Sequence, residues 1–262
     1  MSLRTRLGDV RRRVLCAFYR CAVPLGNCGP VVSFTFDDFP RTALSVGGAI
    51  LEKYGSRGTY YVTFGLMNSF NELGELFRAD DLRSLLERGH ELGAHTFHHS
   101  SCRAVSLSEF VEDVKRGKKA LADLVGHDPT NFAYPYGHVN LRVKKNVGPL
   151  LKSCRGIVPG VNGPDVDLNL LRANSVCGDM DRLGEYEKLI EENALRKSWL
   201  IFYTHDVRQS PSPYGCTPAV FESVVARAAS SGSRLLTVEE ALAEVRDSLA
   251  HSKDRADVRI PT

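Results

Sequence analysis

The sequence predicts a single α/β domain built as a distorted (β/α) barrel of about seven parallel strands. From Gly29 onward, short apolar runs typical of buried strands alternate with amphipathic helical segments, and seven or eight such units follow one another. Alternating strands and helices favour a parallel sheet, and this number of units favours a barrel. The length of 262 residues suits one domain of barrel size or two small ones.

Each element is predicted from its own pattern. The strands are short runs rich in branched and aromatic residues, at 31–36, 58–63, 91–95, 131–134, 153–157, 171–176, 199–203 and 234–236. The helices have apolar residues three or four apart, at about 42–54, 81–88, 106–125, 182–193, 218–231 and 238–249. The helix from 106 has the clearest start signal, because Ser106 and Glu109 have capping-box spacing.

The composition excludes several classes of protein. Apolar residues make up 43% and charged residues 25%, the balance of an ordinary globular chain and not of a disordered, collagen-like or membrane-bundle protein. The net charge of +3 is too small for a dedicated nucleic-acid binder. Six Arg and one Asp lie within residues 1–28, so the basic character belongs to the N-terminal segment.

Residues 1–28 are predicted to form a basic amphipathic arm, followed by the barrel at 29–249 and a polar tail at 250–262. Leu3, Leu7, Val10 and Val14 recur at helical spacing, with arginines between them. Two interpretations of the arm stay open: a helix laid on the outside of the domain, or a peripheral contact with anionic membrane lipid.

The cysteines and the N-terminal sequence predict a cytoplasmic location, with the inner face of the membrane as a further option. Seven cysteines without a CxxC pair argue against a disulfide framework and against a cysteine-based zinc site. No apolar stretch reaches 18 residues. Arginines interrupt the first 30 residues, where a secretory signal would need an unbroken apolar core.

Two adjacent carboxylates, Asp37 and Asp38, follow the apolar strand at 31–36. A single Asp at this place could simply cap a helix. Like charges side by side repel, and a cation bound by one carboxylate would resolve the repulsion. The pair therefore favours one Asp as a metal ligand and the other as a free base.

Three histidines follow the predicted strand at 91–95. His95 and His99 are four residues apart, so a helical turn would place both imidazoles on one face, with His98 on another. Two His and one carboxylate form a common ligand set for catalytic zinc, with a position open for water. A lone His would more often be structural, but this cluster favours a metal site.

Two further strand ends carry candidate residues. The turn Tyr134-Pro135-Tyr136-Gly137 could direct a backbone N–H into a site, or it could be only a turn. His205 ends an apolar strand and could transfer a proton, or it could be a buried structural histidine. Because chemistry in such barrels lies at the C-terminal ends of the strands, all four segments are expected at one face.

These residues resemble the polysaccharide deacetylase family, carbohydrate esterase family 4, whose shared unit is the NodB homology domain. The segments TFDD, HTFHH, AYPYG and the late Tyr-Thr-His occur in the family's order over about residues 29–245. The resemblance implies a distorted barrel that removes an N-acetyl or N-formyl group from an amino sugar with one divalent metal ion, usually zinc. The chain also looks similar to non-secreted bacterial enzymes of surface-polysaccharide or O-antigen assembly, whose sugar could be nucleotide-linked, lipid-linked or polymeric.

The resemblance also implies roles for individual residues. It assigns metal binding to three side chains: Asp38, His95 and His99. By the same match, Asp37 is the general base and His205 the general acid. The Tyr136 position supplies a backbone N–H to the oxyanion, and Thr96 braces the ligand loop through a hydrogen bond.

Three departures from the family pattern affect these assignments. Ala133 stands where members often carry an arginine that pairs with the base, so Arg172 or Arg155 would have to supply that charge. Tyr203 stands where family members carry a small apolar residue, so the sequence does not determine which acyl group is removed. The carboxylate that polarises the catalytic histidine has only Asp167 as a candidate, and a turn cap is the alternative interpretation.

Three functions are consistent with the sequence. The first is a metal-dependent N-deacylase of an amino sugar, and the second is a hydrolase of a non-sugar C–N bond. The third is a carbohydrate-binding protein with lapsed catalysis, which the complete set of predicted site residues disfavours.

Overall fold

The structure, a computed structural model, describes residues 14–26 and 28–246. The first 13 residues of the predicted arm, the last residues of the final predicted helix and the predicted tail at 250–262 lie outside the described residues. None of the helices in the described ranges is long and apolar enough to cross a bilayer.

A curled sheet of seven parallel strands forms the centre of the fold. The strands of the molecule are, in chain order, β1 (Ala22–Pro24), β2 (Val31–Asp37), β3 (Thr59–Val62), β4 (Phe70–Asn71), β5 (Gly74–Glu75), β6 (Glu91–Ala94), β7 (Asn131–Ala133), β8 (Ser153–Arg155), β9 (Asp165–Asp167), β10 (Asn174–Ser175), β11 (Trp199–Thr204) and β12 (Arg234–Leu235). The order across the sheet is β10-β11-β2-β3-β6-β7-β8, and β12 pairs with the beginning of β2.

The curl of the sheet brings its two edges together. Leu171, which precedes β10, forms a parallel bridge with Arg155 of β8. The Gly156 N–H also donates to the Leu171 carbonyl at 2.9 Å. The prediction of a distorted parallel barrel is therefore confirmed.

Helices follow the strands along the chain and cover the sheet. They are α1 (Ala49–Lys53), α2 (Ala79–Glu87), α3 (Leu107–Val125), α4 (Leu141–Val147), α5 (Leu183–Arg196), α6 (Pro218–Ser230) and α7 (residues 238–246). A π-helical turn, Ala43–Gly48, leads into α1. The predicted capping box is present at α3, where the Ser106 hydroxyl accepts the Glu109 N–H and the Glu109 carboxylate accepts the Ser106 N–H.

An interior strand of the sheet, β2, is buried along its whole length. A parallel strand is covered on both faces, which explains why its sequence is a continuous apolar run and not an alternating one. Phe34 stacks on Phe202 of β11 with ring centroids 5.6 Å apart, and Phe36 stacks on Tyr60 of β3 at 4.6 Å. The aspartates at the end of β2 therefore emerge from a rigid base.

Two small strand pairs are absent from the predicted elements. β1 pairs antiparallel with β9, so residues 22–24, predicted to belong to the arm, are attached to the domain. β4 and β5 form a hairpin of two residues on each side. Strands of two or three residues are too short to show an apolar period in the sequence.

Candidate active site

A cavity of about 540 Å³ opens where the strands of the sheet end. Because the strands are parallel, their C-terminal ends share one edge. Asp37 and Asp38 reach the cavity from the end of β2, His95 from the end of β6, Tyr136 from the turn after β7 and His205 from the end of β11. The structure thus brings the predicted site residues from four strand ends to one place.

Asp38, His95 and His99 form a group that could hold a metal ion. Their ligand atoms all lie within 4.8 Å of one another. His99 Nε2 is 2.8 Å from Asp38 Oδ2, and His95 Nε2 is 3.9 Å from the same oxygen. Two imidazole nitrogens and one carboxylate oxygen are donors that a divalent ion such as zinc accepts, and they leave coordination positions open. The residues therefore fit a divalent cation.

Neighbouring groups fix the orientation of these ligands. His95 Nδ1 lies 2.7 Å from the Ala133 carbonyl, which makes Nδ1 the donor and leaves Nε2 for coordination. The Thr63 hydroxyl contacts the Asp38 carboxylate and lies 3.2 Å from the His95 carbonyl. Sequence reasoning missed Thr63, although it directly follows β3 and the strand-end rule could have found it.

The protonation states of the ligands suit metal binding. Burial lowers the pKa of His95 to about 4, against the opposing charges of Asp38 and Asp37, so its imidazole is neutral at pH 7. Burial by itself would raise the pKa of Asp38. The charges of His95 and His99 and hydrogen bonds from His99 and Thr63 outweigh this effect and hold that pKa well below its usual range.

The ligand loop is not the helical turn that the spacing predicted. Thr96 and His99 have left-handed backbones, with φ of +66° and +57°. The two ligand imidazoles nevertheless meet, with ring centroids 5.0 Å apart, because the loop bends at these two residues. His98 lies outside the ligand group, and its Nδ1 is 2.6 Å from Asp113 Oδ1 on α3.

The loop lies directly against α3 at Gly117. A Cβ atom at this position would be 2.4 Å from the carbonyl carbon of Thr96 and 2.5 Å from its oxygen, too close for any side chain. The absence of a side chain in the middle of α3 therefore allows the close contact that supports the ligand loop.

We expect Gly117→Ala to displace this loop and weaken zinc binding by about 10- to 100-fold, the usual effect of disturbing groups that support metal ligands. Competition with a chromophoric chelator measures the affinity. Gly184→Ala is the matched control, since Gly184 lies in α5 with nothing within 4 Å of the added carbon. Equal zinc affinity in the two variants would show that the α3 contact does not support the site.

Asp37 lies outside the ligand group and is held by a buried arginine. Arg155 Nη2 donates to Asp37 Oδ1, and the guanidinium lies between the rings of Tyr61 and Tyr203, 5.0 Å from each centroid. Burial alone would raise the pKa of Asp37, but the charges of Arg155, His95 and His205 outweigh it and lower that pKa. Asp37 is therefore an ionised carboxylate beside the ligand group.

His205 is positioned by the loop that follows β11. Its Nδ1 lies 3.3 Å from the Tyr214 carbonyl, which leaves Nε2 for the cavity. The loop folds around the buried Asp206, whose carboxylate accepts the Ser212 N–H at 2.8 Å and pairs with Arg208 Nε at 2.8 Å. Sequence reasoning missed Asp206, although a charged residue beside the candidate histidine was a usable signal.

Tyr136 lies beside the ligand group with a left-handed backbone, φ +58°. Its half-exposed ring packs on His99, with centroids 4.3 Å apart. A left-handed non-glycine residue is strained, and such strain is common where a turn serves a site. The role of its backbone N–H toward an oxyanion stays a prediction.

Comparison with known proteins identifies a family for residues 26–150, about half of the chain. Residues 26–150 match the family described as polysaccharide deacetylase. This stretch belongs to the polysaccharide deacetylase family. It contains Asp37, Asp38, His95 and His99, and it ends before His205.

Curated relatives match part of the chain, and a solved structure has a similar fold. The peptidoglycan-N-acetylglucosamine deacetylase PgdA of Listeria monocytogenes is 28% identical over 127 residues, 48% of this chain and 26% of the relative. Chitin deacetylase 1 of Saccharomyces cerevisiae is 34% identical over 133 residues, 48% of this chain and 40% of the relative. The chain thus matches less than half the length of these relatives. A family 4 acetyl xylan esterase from Clostridium thermocellum, solved in complex with a cobalt ion, has a TM-score of 0.54 at 21% identity and covers 82% of this chain and 91% of its own.

The arginine that pairs with Asp37 comes from β8, the strand beside the one that carries Ala133. Ala133 of β7 and Arg155 of β8 are register partners, so the guanidinium of Arg155 approaches Asp37 from beside the alanine. Of the two cations proposed from the sequence, Arg155 makes this contact. Arg172 does not, because its Nη1 donates to the Pro159 carbonyl at 2.9 Å and it lies outside the cavity.

Two further assignments of the candidate site are corrected. Asp167 does not contact His205. Its carboxylate pairs with Lys144 Nζ at 2.5 Å and accepts hydrogen bonds from the Cys21 and Asn169 N–H groups. These contacts agree with the alternative interpretation, in which Asp167 caps a turn. Thr96 does not brace the loop, since its buried hydroxyl finds no hydrogen-bond partner in the described ranges. Both predictions failed because they depended on long-range placement that spacing does not reveal.

Proposed function

We propose that this protein removes an N-acetyl or N-formyl group from an amino sugar with the help of one divalent metal ion, expected to be zinc. One observation carries the proposal. Asp38 joins His95 and His99 in a ligand set, whereas the adjacent Asp37 is held apart by Arg155. A metal site beside a separate, ionised carboxylate is an arrangement that can activate water to hydrolyse an amide.

The residues of the chain supply the proton transfers. A divalent ion would polarise the amide carbonyl and lower the pKa of water. Asp37 accepts a proton from water as the water oxygen forms a bond to the carbonyl carbon. Protonated His205 donates a proton to the sugar nitrogen as the C–N bond breaks, and the Tyr136 N–H would donate to the carbonyl oxygen. The products are the free amino sugar and acetic or formic acid.

The names of the relatives support an amino-sugar substrate. One relative is named for deacetylating N-acetylglucosamine of peptidoglycan and another for deacetylating chitin, and both substrates carry an acetamido group on a sugar. A role in O-antigen or other surface-polysaccharide assembly, and a location at the inner face of the membrane, stay predictions from the sequence.

The test is hydrolysis by protein stripped with a chelator and reloaded with Zn²⁺. N-acetylglucosamine oligomers and an N-formyl amino sugar serve as substrates, and NMR detects the released acetate or formate. We expect release only from the zinc-loaded protein and renewed loss after chelation. Turnover of simple non-sugar amides without turnover of either sugar would contradict the proposed substrate class.

A further inference from the structure

The hairpin formed by β4 and β5 places a carboxylate at the candidate active site. Glu72, in the turn between the two strands, lines the same cavity as Asp37 and His205 and is exposed to solvent. Its carboxylate also acts electrostatically on Tyr136 across the cavity. No sequence pattern points to this residue, because the strands of the hairpin are too short to be predicted.

Glu72 differs from the other carboxylates of the cavity. Asp37 pairs with Arg155, and Asp38 lies against His99. Among the described residues, the Glu72 carboxylate forms no ion pair. Where the structure describes its lining, the cavity also presents no lysine or arginine. Glu72 therefore supplies a carboxylate that lines the cavity and has no ion-pair partner among the described residues.

The position of Glu72 is fixed by the backbone of the hairpin. Arg208 Nη2 donates to the Glu72 carbonyl at 2.9 Å, and the same guanidinium pairs with Asp206 beside His205. At the turn, the Leu73 N–H donates to the Asn71 side chain at 2.8 Å. The backbone at Glu72 is thus tied to the loop that carries His205.

We propose that Glu72 is a specificity-determining residue that binds the ammonium group of a sugar next to the one being deacylated. The inference rests on the proposed function, which generates such ammonium groups along a chain of amino sugars. A cavity of about 540 Å³ falls within the roughly 300–1,000 Å³ of sites for drug-sized ligands, so it has room beyond the acetamido group itself.

The experiment compares two tetramers of glucosamine units under zinc-loaded conditions. One is fully N-acetylated, and the other has a single free amine beside an N-acetyl unit. At low ionic strength we expect kcat/KM to favour the second by about fivefold, the upper range for an exposed ion pair, and salt to reduce the preference. Calorimetric binding of the fully deacetylated tetramer gives a readout that does not depend on turnover.

Glu72→Gln keeps the shape of the side chain and removes its charge. It should abolish the kcat/KM preference for the tetramer with one free amine and weaken binding of the fully deacetylated tetramer. Glu75→Gln is the matched control, because Glu75 lies in the same hairpin, pairs with Arg78 and lies outside this cavity. A preference that survives in Glu72→Gln overturns the inference and leaves the proposed function standing. Glu72-dependent binding of the amine tetramer, without turnover of any N-acetyl or N-formyl sugar, would refute the proposed function and reduce the inference to an ammonium-binding role for Glu72.

Discussion

Asp37→Asn is expected to lower kcat for amide hydrolysis by about 10²- to 10⁴-fold, the usual contribution of a general base. Bound zinc should stay at one ion per chain, because Asp37 lies outside the ligand group of Asp38, His95 and His99. Steady-state kinetics measures the first quantity, and metal analysis of the same preparation measures the second.

Asp38→Asn serves as the comparison for this variant. Since Asp38 supplies the only carboxylate of the ligand group, we expect it to lose both the zinc and the activity. The two variants should therefore differ in metal content: Asp37→Asn loses activity and keeps zinc, whereas Asp38→Asn loses both. Loss of zinc in Asp37→Asn would contradict the division of roles between them.

Arg155→Leu is expected to destabilise the protein by about 3–5 kcal/mol, because it leaves the Asp37 carboxylate buried without its partner. The guanidinium is 1% exposed, so water would not readily replace it. Denaturant unfolding measures the loss. A change below about 1 kcal/mol, the range of an exposed ion pair, would contradict the buried pairing.

The same variant should change the pH dependence of the activity. Arg155 lowers the pKa of Asp37 in the folded protein, so the carboxylate stays ionised, and the pair stabilises the fold, at pH values above its usual pKa. Both effects are lost as the pH falls through the lowered pKa. Without Arg155 that pKa rises, and the acidic limb of the pH–rate profile should move to higher pH.

Two further variants make this prediction specific. Arg172→Ala should leave the pH–rate profile unchanged, because Arg172 contacts the Pro159 carbonyl and not Asp37. The double variant Arg155→Ala with Ala133→Arg should recover part of the acid-side activity, since positions 133 and 155 are register partners on neighbouring strands. A profile that moves equally in the Arg172 variant would contradict the assignment of Arg155.

Local patterns were sufficient to predict most of the fold. The buried strand β2 and the capped helix α3 have signals within their own sequences, and the alternation of such elements predicts a parallel barrel. Chemistry in such barrels lies at the C-terminal ends of the strands, and this rule predicts that Asp37, Asp38 and His205 share one edge of the sheet. The hairpin of β4 and β5 has no such signal.

The parts of the site that could not be predicted depend on contacts between distant segments. Arg155 is 118 residues from Asp37, and the candidate chosen from the sequence was Arg172, with Arg155 only as the alternative. The left-handed backbones at Thr96 and His99 depend on the contact with α3 at Gly117, which spacing cannot show. The imidazoles of His95 and His99 do lie close together, but a bent loop brings them there and not the helical turn that the spacing predicts.

The central claim is that one ion binds Asp38, His95 and His99 while Asp37 stays uncoordinated. Anomalous scattering at the zinc edge, from crystals of the zinc-loaded protein, tests it most directly. The account predicts a single peak within about 2.0–2.2 Å of one carboxylate oxygen and two imidazole nitrogens, with the Asp37 carboxylate still on Arg155. A peak coordinated by Asp37, or no peak among these side chains at saturating zinc, would contradict it.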